Sequence, residues 1–337
     1  MIEIQKDGEQ RMMIYSGVNI GIIRNCNFRC SMCTAVETHD KDKRMSMDKF
    51  EEILDVLDNK QNYRFSQKNM KFTGWGEPFM YGDSLFDMLS SAIKRGWKVK
   101  LTTNALLLTE ENSRHLCEMG VSELDISLTG MTPEVFQKFQ GNGFRYPDKI
   151  LKQILLNIRR FIKIRESLGK GPKVYLSFLY CEESRKDLIP YLRVMKGGGV
   201  DGVIISELSN MKNYIPIIRT RCRRINRNEL NIDYDGSVLL CCVDFERKII
   251  LGNVLIPKSV NDSLKRYQRI NNSRKFDLLP LACQTCDYVS AKSYFNYLQR
   301  NGGFVLLLQR PHWQLCGLRD YFFYLFHQYK TYCNINK

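Results

Sequence analysis

Three cysteines stand within eight residues, Cys26-Asn27-Phe28-Arg29-Cys30-Ser31-Met32-Cys33, spaced by three residues and then by two. A structural zinc site closes with four ligands, and a disulfide takes two. Soft thiolates select zinc, Cu(I) or iron–sulfur clusters, and a cubane 4Fe–4S cluster is fully ligated by four cysteines. Three cysteines would hold three irons of a cubane and leave the fourth iron open. An open coordination position separates a catalytic metal site from a structural one. Cys26, Cys30 and Cys33 therefore read as a site for chemistry, with a non-protein molecule taking the last position. A zinc knuckle lacking a nearby fourth ligand is the competing reading.

A second set lies further along. Thirteen residues separate Cys222 from Gly236, four separate Gly236 from Cys241, and Cys283 and Cys286 form a CxxC pair. Four thiolates complete one cubane cluster, and they also complete one structural zinc site. Cys242 is a rival to Cys241, which the glycine spacing favours. A fully ligated cluster cannot bind substrate through iron without losing a ligand, so electron transfer is its expected job. Arg219, Arg221, Arg223, Arg224 and Arg227 crowd around Cys222. They would stabilise a reduced, more negative cluster, bind an anionic substrate group, or form a solvated basic loop. The isolated Cys117, Cys181, Cys316 and Cys333 read as small buried hydrophobes.

The 337 residues suffice for one large α/β domain with an appended module, and 44% hydrophobic with 26% charged residues argues against long disorder. The first seven residues, MIEIQKD, contain no apolar signal-peptide core. The apolar clusters Phe304–Leu308 and Tyr321–Phe326 are too short to span a bilayer. The expectation is a cytoplasmic protein, in which the twelve cysteines are not a disulfide framework. The net charge of +15 suggests an anionic partner or a generic basic surface. A zinc protein binding nucleic acid would explain charge and cysteines. It would not explain three thiolates at a strand end, and no nucleic-acid-binding motif is present, so no nucleic acid partner is expected.

The elements that must position these groups alternate. Residues 18–24, 69–73, 98–103, 123–128, 173–180 and 200–208 read as strands. Residues 47–57, 84–94, 110–119, 148–165 and 187–195 have helical periodicity. Six strands in βα alternation imply a parallel sheet, too short for a closed eight-stranded barrel. The expected fold is α/β, a partial (β/α)6 TIM-like barrel over residues 1–210. The cysteine loop then follows the first strand, at the end where active sites gather. Residues 232–242 read as a hairpin turning at Asp235-Gly236, followed by a helix around 261–268. Residues 211–290 form a small cysteine-bearing module, and 291–337 an aromatic, basic extension, helical in its last third, expected to pack on the barrel, with capping the active site, binding a partner or touching a membrane as the alternatives.

CxxxCxxC after the first strand of a βα array resembles the radical S-adenosylmethionine (radical SAM) enzymes. Thr73-Gly74-Trp75-Gly76-Glu77-Pro78 resembles that family's GGEP segment, and Leu101-Thr102-Thr103-Asn104 its TTNG segment, with Ala105 in place of glycine. Asp125-Ile126-Ser127-Leu128-Thr129-Gly130 resembles the SxDG segment, with Thr129 replacing the acidic residue. The resemblance implies that SAM completes the open iron through its amino and carboxylate groups. It carries over Met32, Gly76, Glu77, Pro78, Asn104 and Ser127 as SAM contacts, with Gly76, Glu77 and Pro78 in the segment that meets the SAM ammonium. Met32 stands where an aromatic residue is usual. Lys138 and Arg145 are candidates for the SAM carboxylate.

The second cysteine set is similar to the SPASM/twitch auxiliary-cluster module. The next cysteine after Cys286 is Cys316, thirty residues on, which favours the twitch form: one auxiliary 4Fe–4S cluster on Cys222, Cys241, Cys283 and Cys286. The implied cofactors are two 4Fe–4S clusters and SAM, with a flavodoxin- or ferredoxin-type electron donor. The implied chemistry is reductive cleavage of SAM to a 5′-deoxyadenosyl radical that abstracts a substrate hydrogen. Twitch-type relatives suggest two-electron oxidation of a sugar or aminocyclitol. Peptide or protein modification, epimerisation and dehydration are the alternatives. The first cluster begins at residue 26, leaving no room for a preceding peptide-recognition domain. That favours a small, polar or anionic substrate.

Overall fold

Along the expected strands, apolar side chains alternate with polar ones, and the fold puts the two sets on opposite faces of one sheet. The computed structural model describes residues 13–33, 35–36, 39–181, 183–196, 198–207, 222, 224–284, 286 and 304–307. Ten strands form that sheet. In chain order they are β1 (Gly17–Ile20), β2 (Asn69–Phe72), β3 (Lys98–Thr103), β4 (Glu123–Ser127), β5 (Lys173–Tyr180), β6 (Gly202–Glu207), β7 (Glu229–Ile232), β8 (Ser237–Leu239), β9 (Ile250–Asn253) and β10 (Phe304–Leu307). Strands β1 to β6 pair in sequence, all parallel. The end strands of the sheet are β9 and β10, so the barrel is open.

Helices α1 (Met47–Asp58), α2 (Ser84–Lys94), α3 (Glu110–Glu118), α5 (Pro147–Leu168) and α6 (Leu188–Lys196) fill the crossovers as expected. Two start on a capping hydroxyl: Ser46 accepts from the Lys49 amide, and Thr109 from the Asn112 amide. Helix α4 (Pro133–Phe139) was not expected, although Thr132 caps it and Pro133 opens it. The outer face of the sheet, with Val18, Ile20, Met70, Phe72, Val99, Leu101, Leu124 and Ile126, is buried with apolar residues of the helices. The inner face is polar, with Asn19 on β1, Lys71 on β2, Lys100 and Thr102 on β3, and Glu123 and Asp125 on β4.

The cysteine-bearing module does not stand apart from the barrel's sheet. Strand β7 pairs parallel with β1, and β7, β8 and β9 continue as an antiparallel meander. Helix α7 (Pro257–Asn272) packs on β9 and leads to the short α8 (Leu281–Gln284). At the other edge, β10 adds to β6 antiparallel. The extension thus contributes a strand to the barrel sheet, while its last third lies outside the described residues. Among the described residues no helix is long and apolar enough to cross a membrane.

A buried ion pair fastens the junction. Arg24, just before the cysteine loop, donates from Nε and Nη2 to Asp233 on the module hairpin, at 3.0 and 2.7 Å to Oδ2. Its Nη1 donates to the Phe245 carbonyl at 2.9 Å, and its guanidinium lies 5.5 Å from the Trp75 ring centroid. Arg24 is 1% exposed and Asp233 fully buried. Breaking a buried pair leaves an uncompensated charge and costs about 3–5 kcal/mol. Arg24→Met and Asp233→Leu are each expected to lose that much in urea unfolding, and the double variant less than their sum. Strict additivity would show that the two residues are uncoupled.

Candidate active site

The cysteine loop leaves β1 at Gly21 and is pinned at its base by short antiparallel strands, Ile23–Arg24 and Asp40–Arg44. Its tip rests on α4: Ser31 donates from its amide to the Phe139 carbonyl at 2.9 Å and from Oγ to the Lys138 carbonyl at 2.7 Å. Phe28 packs edge-on against Phe144 and Phe136. The loop after β2 then closes over it. The Glu77 amide donates to the Asn25 carbonyl at 2.8 Å. A Cβ on Gly76 would sit 2.5 Å from the Asn25 and Ile23 carbonyls, so only glycine allows this approach. Gly21 does the same for Trp75, whose ring lies 2.2 Å from where its Cβ would be.

These loops enclose a cavity of about 270 Å³ at the C-terminal ends of the strands. Cys26, Cys30 and Cys33 line it together with Met32, Gly76, Glu77, Asn104 and Ser127. Pro78 is not on the wall; it opens a buried 3₁₀ turn, Pro78–Tyr81, that Glu77 caps. Lys138 and Arg145 are not on the wall either. Lys138 pairs with Glu183 at 2.7 Å, and Arg145 lies over Tyr146. Asn104 donates to Asn27 Oδ1 at 2.7 Å, bridging the loop after β3 to the cysteine loop.

Several wall residues escaped the sequence reading. Gln140, just past α4, accepts from both the amide and hydroxyl of Thr129 at 2.8 Å and donates to the Ser127 carbonyl at 2.9 Å. It fixes the end of β4 where the resembling segment has an acid. His39 Nδ1, Trp75 Nε1 and Thr102 Oγ1 are buried on this wall with no hydrogen-bond partner among the described residues. Ala105, at the glycine position of the TTNG-like segment, adopts φ 61°. An L-residue there costs about 1–2 kcal/mol. Asn157 on α5 braces the strained turn, donating to the Ala105 and Leu106 carbonyls at 2.9 and 3.0 Å.

In the module, Cys222, Cys283 and Cys286 are buried, and burial followed by the neighbouring Cys222 and Cys286 raises the Cys283 thiol. Cys241 and Cys242 both lie near enough to Cys222 for their charges to interact with it. Their mutual hydrogen bond and burial raise Cys241, whereas that bond and Arg224 hold Cys242 below the ordinary thiol range. Arg224 Nη1 donates to Cys242 Sγ at 2.6 Å. Of the five arginines near Cys222, Arg224 and Arg227 are among the described residues; Arg219, Arg221 and Arg223 lie outside them. Cys117 is buried as expected, Cys181 is half-exposed, and Cys316 and Cys333 lie outside the described residues.

The sequence profile of the Radical SAM superfamily matches residues 20–175, and that of the SPASM iron-sulfur cluster-binding domain matches residues 222–287. The chain belongs to the radical SAM superfamily. It is 28% identical over 219 residues to the tungsten-containing aldehyde ferredoxin oxidoreductase cofactor-modifying protein of Pyrococcus furiosus, a match covering 64% of this chain and 54% of that protein. To the GTP 3′,8-cyclase of Staphylococcus carnosus it is 28% identical over 165 residues, 46% of each chain. The chain spans about half the length of these curated relatives. Among solved structures, Streptococcus suis SuiB bound to precursor peptide SuiA has a TM-score of 0.58 at 15% identity, covering 81% of this chain and 70% of that one. The structure of anSMEcpe with bound AdoMet has a TM-score of 0.58 at 13% identity, covering 85% and 94%. Both share the fold.

The residues present fit the cofactors of a radical SAM protein. Burial raises the Cys26 thiol to about 12, and burial with the neighbouring Cys33 and Cys26 raises Cys30. These thiols stay protonated on their own, and binding a metal cluster would release their protons, since only thiolates ligate. Glu77 is 2% exposed, accepts from Thr103 Oγ1 at 2.7 Å and the Asn104 amide at 2.8 Å, and faces the cavity. Burial raises its carboxyl to about 7 despite these bonds.

A raised carboxyl binds a proton in the folded protein at pH values where the unfolded chain has lost it. Its contribution to stability is therefore present at low pH and lost as pH rises from about 4.5 to 7. In apoprotein, the stability difference between wild type and Glu77→Gln is expected to shift by about 3 kcal/mol toward the variant between pH 4.5 and 8. Urea titrations at intermediate pH check this; a flat difference would mean that Glu77 is solvated.

Proposed function

We propose that this radical SAM enzyme oxidises a carbon–hydroxyl group of a small polyhydroxylated molecule, a sugar or aminocyclitol. The substrate loses one hydrogen atom from carbon, one proton from oxygen and one electron. Cys26, Cys30 and Cys33 would hold the catalytic cluster, with Gly76, Glu77, Asn104, Ser127 and Met32 placing SAM on the same cavity wall. Together these cofactors supply one-electron cleavage of SAM and a hydrogen-abstracting 5′-deoxyadenosyl radical. Cys222, Cys241, Cys283 and Cys286 would hold a single auxiliary cluster, the destination of the substrate's electron. A flavodoxin- or ferredoxin-type protein is the proposed source of the electron that starts the cycle.

The observation that carries this reading is the second cysteine set on the same sheet as the cavity. Trp75, on the cavity wall, packs with Leu239 of the module hairpin and against Cys33 and Phe245. An electron leaving the cavity thus has a packed route toward the hairpin that bears Cys241. His39 Nδ1 supplies a proton acceptor on that wall. Burial, then Arg29 and Arg24, lower its pKa and keep the imidazole neutral. The two relatives, a GTP cyclase and a cofactor-modifying protein, also point to small substrates.

Anaerobically reconstituted protein is expected to carry about eight irons, from two cubanes; about four would sink the auxiliary cluster. Cys26→Ala is expected to abolish 5′-deoxyadenosine formation. With Cys283→Ala, SAM cleavage continues and oxidised product is lost. Deuterium at the oxidised carbon should appear in 5′-deoxyadenosine, one per product, with no SAM regenerated. Regenerated SAM, or label transfer only from a peptide, would overturn the oxidation.

A further inference from the structure

The outer face of α5 is basic and unpaired. Lys149, Lys152, Arg159 and Lys163 are exposed and recur at helical spacing, so they share one side of the helix. Leu156 lies among them, 45% exposed. None of the four cations has an ion-pair partner among the described residues. The helix's two acids, Asp148 and Glu166, stand in its first and last turns. Elsewhere helices neutralise their cations: Lys49 pairs with Glu52, and Arg95 with Glu51 and Asp55. Like charges one turn apart repel, so an anionic surface laid along α5 would relieve what the helix leaves unbalanced. This ridge runs to the cysteine loop. Arg145 and Lys149 lie 5.4 and 4.7 Å from the ring centroid of Tyr146, so two cations hold one half-exposed ring. The segment before it packs on the loop. Phe144 meets Phe28 at 5.0 Å between ring centroids, and a Cβ on Gly143 would lie 3.7 Å from Arg29 Cβ. Arg29 is exposed and likewise has no ion-pair partner among the described residues.

We propose that this ridge, from Arg29 through Arg145 and along α5, is the docking surface for an acidic one-electron carrier protein that reduces the catalytic cluster. The inference rests on the proposed placing of that cluster on Cys26, Cys30 and Cys33 and on a donor of the flavodoxin or ferredoxin type. Position decides the partner. The cavity side of the three cysteines is given to SAM and substrate, so a reductant as large as a protein must approach from the loop's outer side. There the exposed Arg29 and Ser31 flank Cys30. From Lys149 to Lys163 the helix runs about 21 Å at 1.5 Å per residue, a length suited to the small interfaces of electron-transfer partners. Tyr146 and Leu156 supply apolar contact, while the cations steer an acidic partner and fix its register. The carrier loses one electron and the cluster gains it; no bond or proton moves at the surface. A nucleic acid or an anionic membrane would meet the same charge, but neither brings an electron to Cys30.

The test uses cluster-loaded protein under anaerobic conditions. Calorimetric titration gives its affinity for oxidised flavodoxin. The rate of 5′-deoxyadenosine formation from SAM, without substrate, is then compared with reduced flavodoxin and with dithionite as reductant. No step of the assay depends on what the enzyme oxidises. Wild type is expected to bind flavodoxin more weakly as salt rises. Lys149→Glu/Lys152→Glu/Arg159→Glu should weaken binding and raise the KM for reduced flavodoxin by about tenfold or more. Its melting temperature and dithionite-driven rate should match wild type. Lys258→Glu/Arg266→Glu/Arg269→Glu, an equal change of charge at exposed positions of α7, should have an effect below about threefold. Unchanged flavodoxin affinity and KM in the α5 variant overturn the surface and leave the donor class standing. Duplex DNA or phosphatidylserine vesicles that bind wild type and not that variant would then name the ridge's partner. Equal losses in the two triple variants also overturn the surface, as does loss of dithionite-driven cleavage in the α5 variant. If flavodoxin neither binds wild type nor drives cleavage where dithionite succeeds, donor class and surface fall together.

Discussion

The guanidinium of Arg24, stripped of water between the barrel and the module, depends on Asp233 for its charge and on the Phe245 carbonyl for a remaining donor. Much around it is arranged to keep that carboxylate in place. The Tyr234 amide donates to Asp233 Oδ1 at 2.8 Å, and Arg247 approaches Oδ2 at 3.4 Å while pairing with Asp235. Trp75 covers the guanidinium, and Gly21 makes room for Trp75. The residue after Arg24 is Asn25, whose carbonyl receives the Glu77 amide. One desolvated ion pair thereby sets where the cysteine loop starts, where the Glu77 loop closes on it, and where the module hairpin lies.

Strain is concentrated where the loops meet the cavity. The left-handed Ala105 is tolerated because Thr103 Oγ1 accepts from its amide and Asn157 holds its carbonyl, so the turn cannot relax outward. That turn delivers the Asn104 amide to Glu77 and the Asn104 side chain to Asn27. Gln140 performs the corresponding service for β4. Polar side chains from helix or post-helix positions thus brace the strand ends, while the strands themselves present short, rigid polar groups.

The sequence made the chemistry more legible than the topology. Cysteine spacing is local, so Cys26, Cys30 and Cys33 stand out directly in the sequence as one group. The βα alternation disclosed six parallel strands because helical and strand periodicities differ over short windows. The choice of a partner strand is not local, and nothing in residues 229–232 says that they pair with β1. Lys138 and Arg145 looked suitable by charge, but a surface carboxylate and an aromatic ring engage them. Helix α4 is signalled only by Thr132 and Pro133, because its 7 residues are too few to display a helical period. Gln140, His39 and Thr102 carry no sequence signature, since their importance comes from which loops surround them.

The pairing of β7 with β1 has a consequence for how the chain acquires its shape. Strand β1 has β2 on one side, about fifty residues away in sequence, and β7 on the other, about two hundred and ten away. Contacts of such separation require a large loop to close before they reward the chain, and they slow folding. Until residues 229–232 arrive, the first strand of the barrel is an unprotected edge, with open amides and carbonyls beside the cysteine loop. The end of the sheet that carries the cysteine loop therefore has its central strand synthesised long before that strand's edge is sealed.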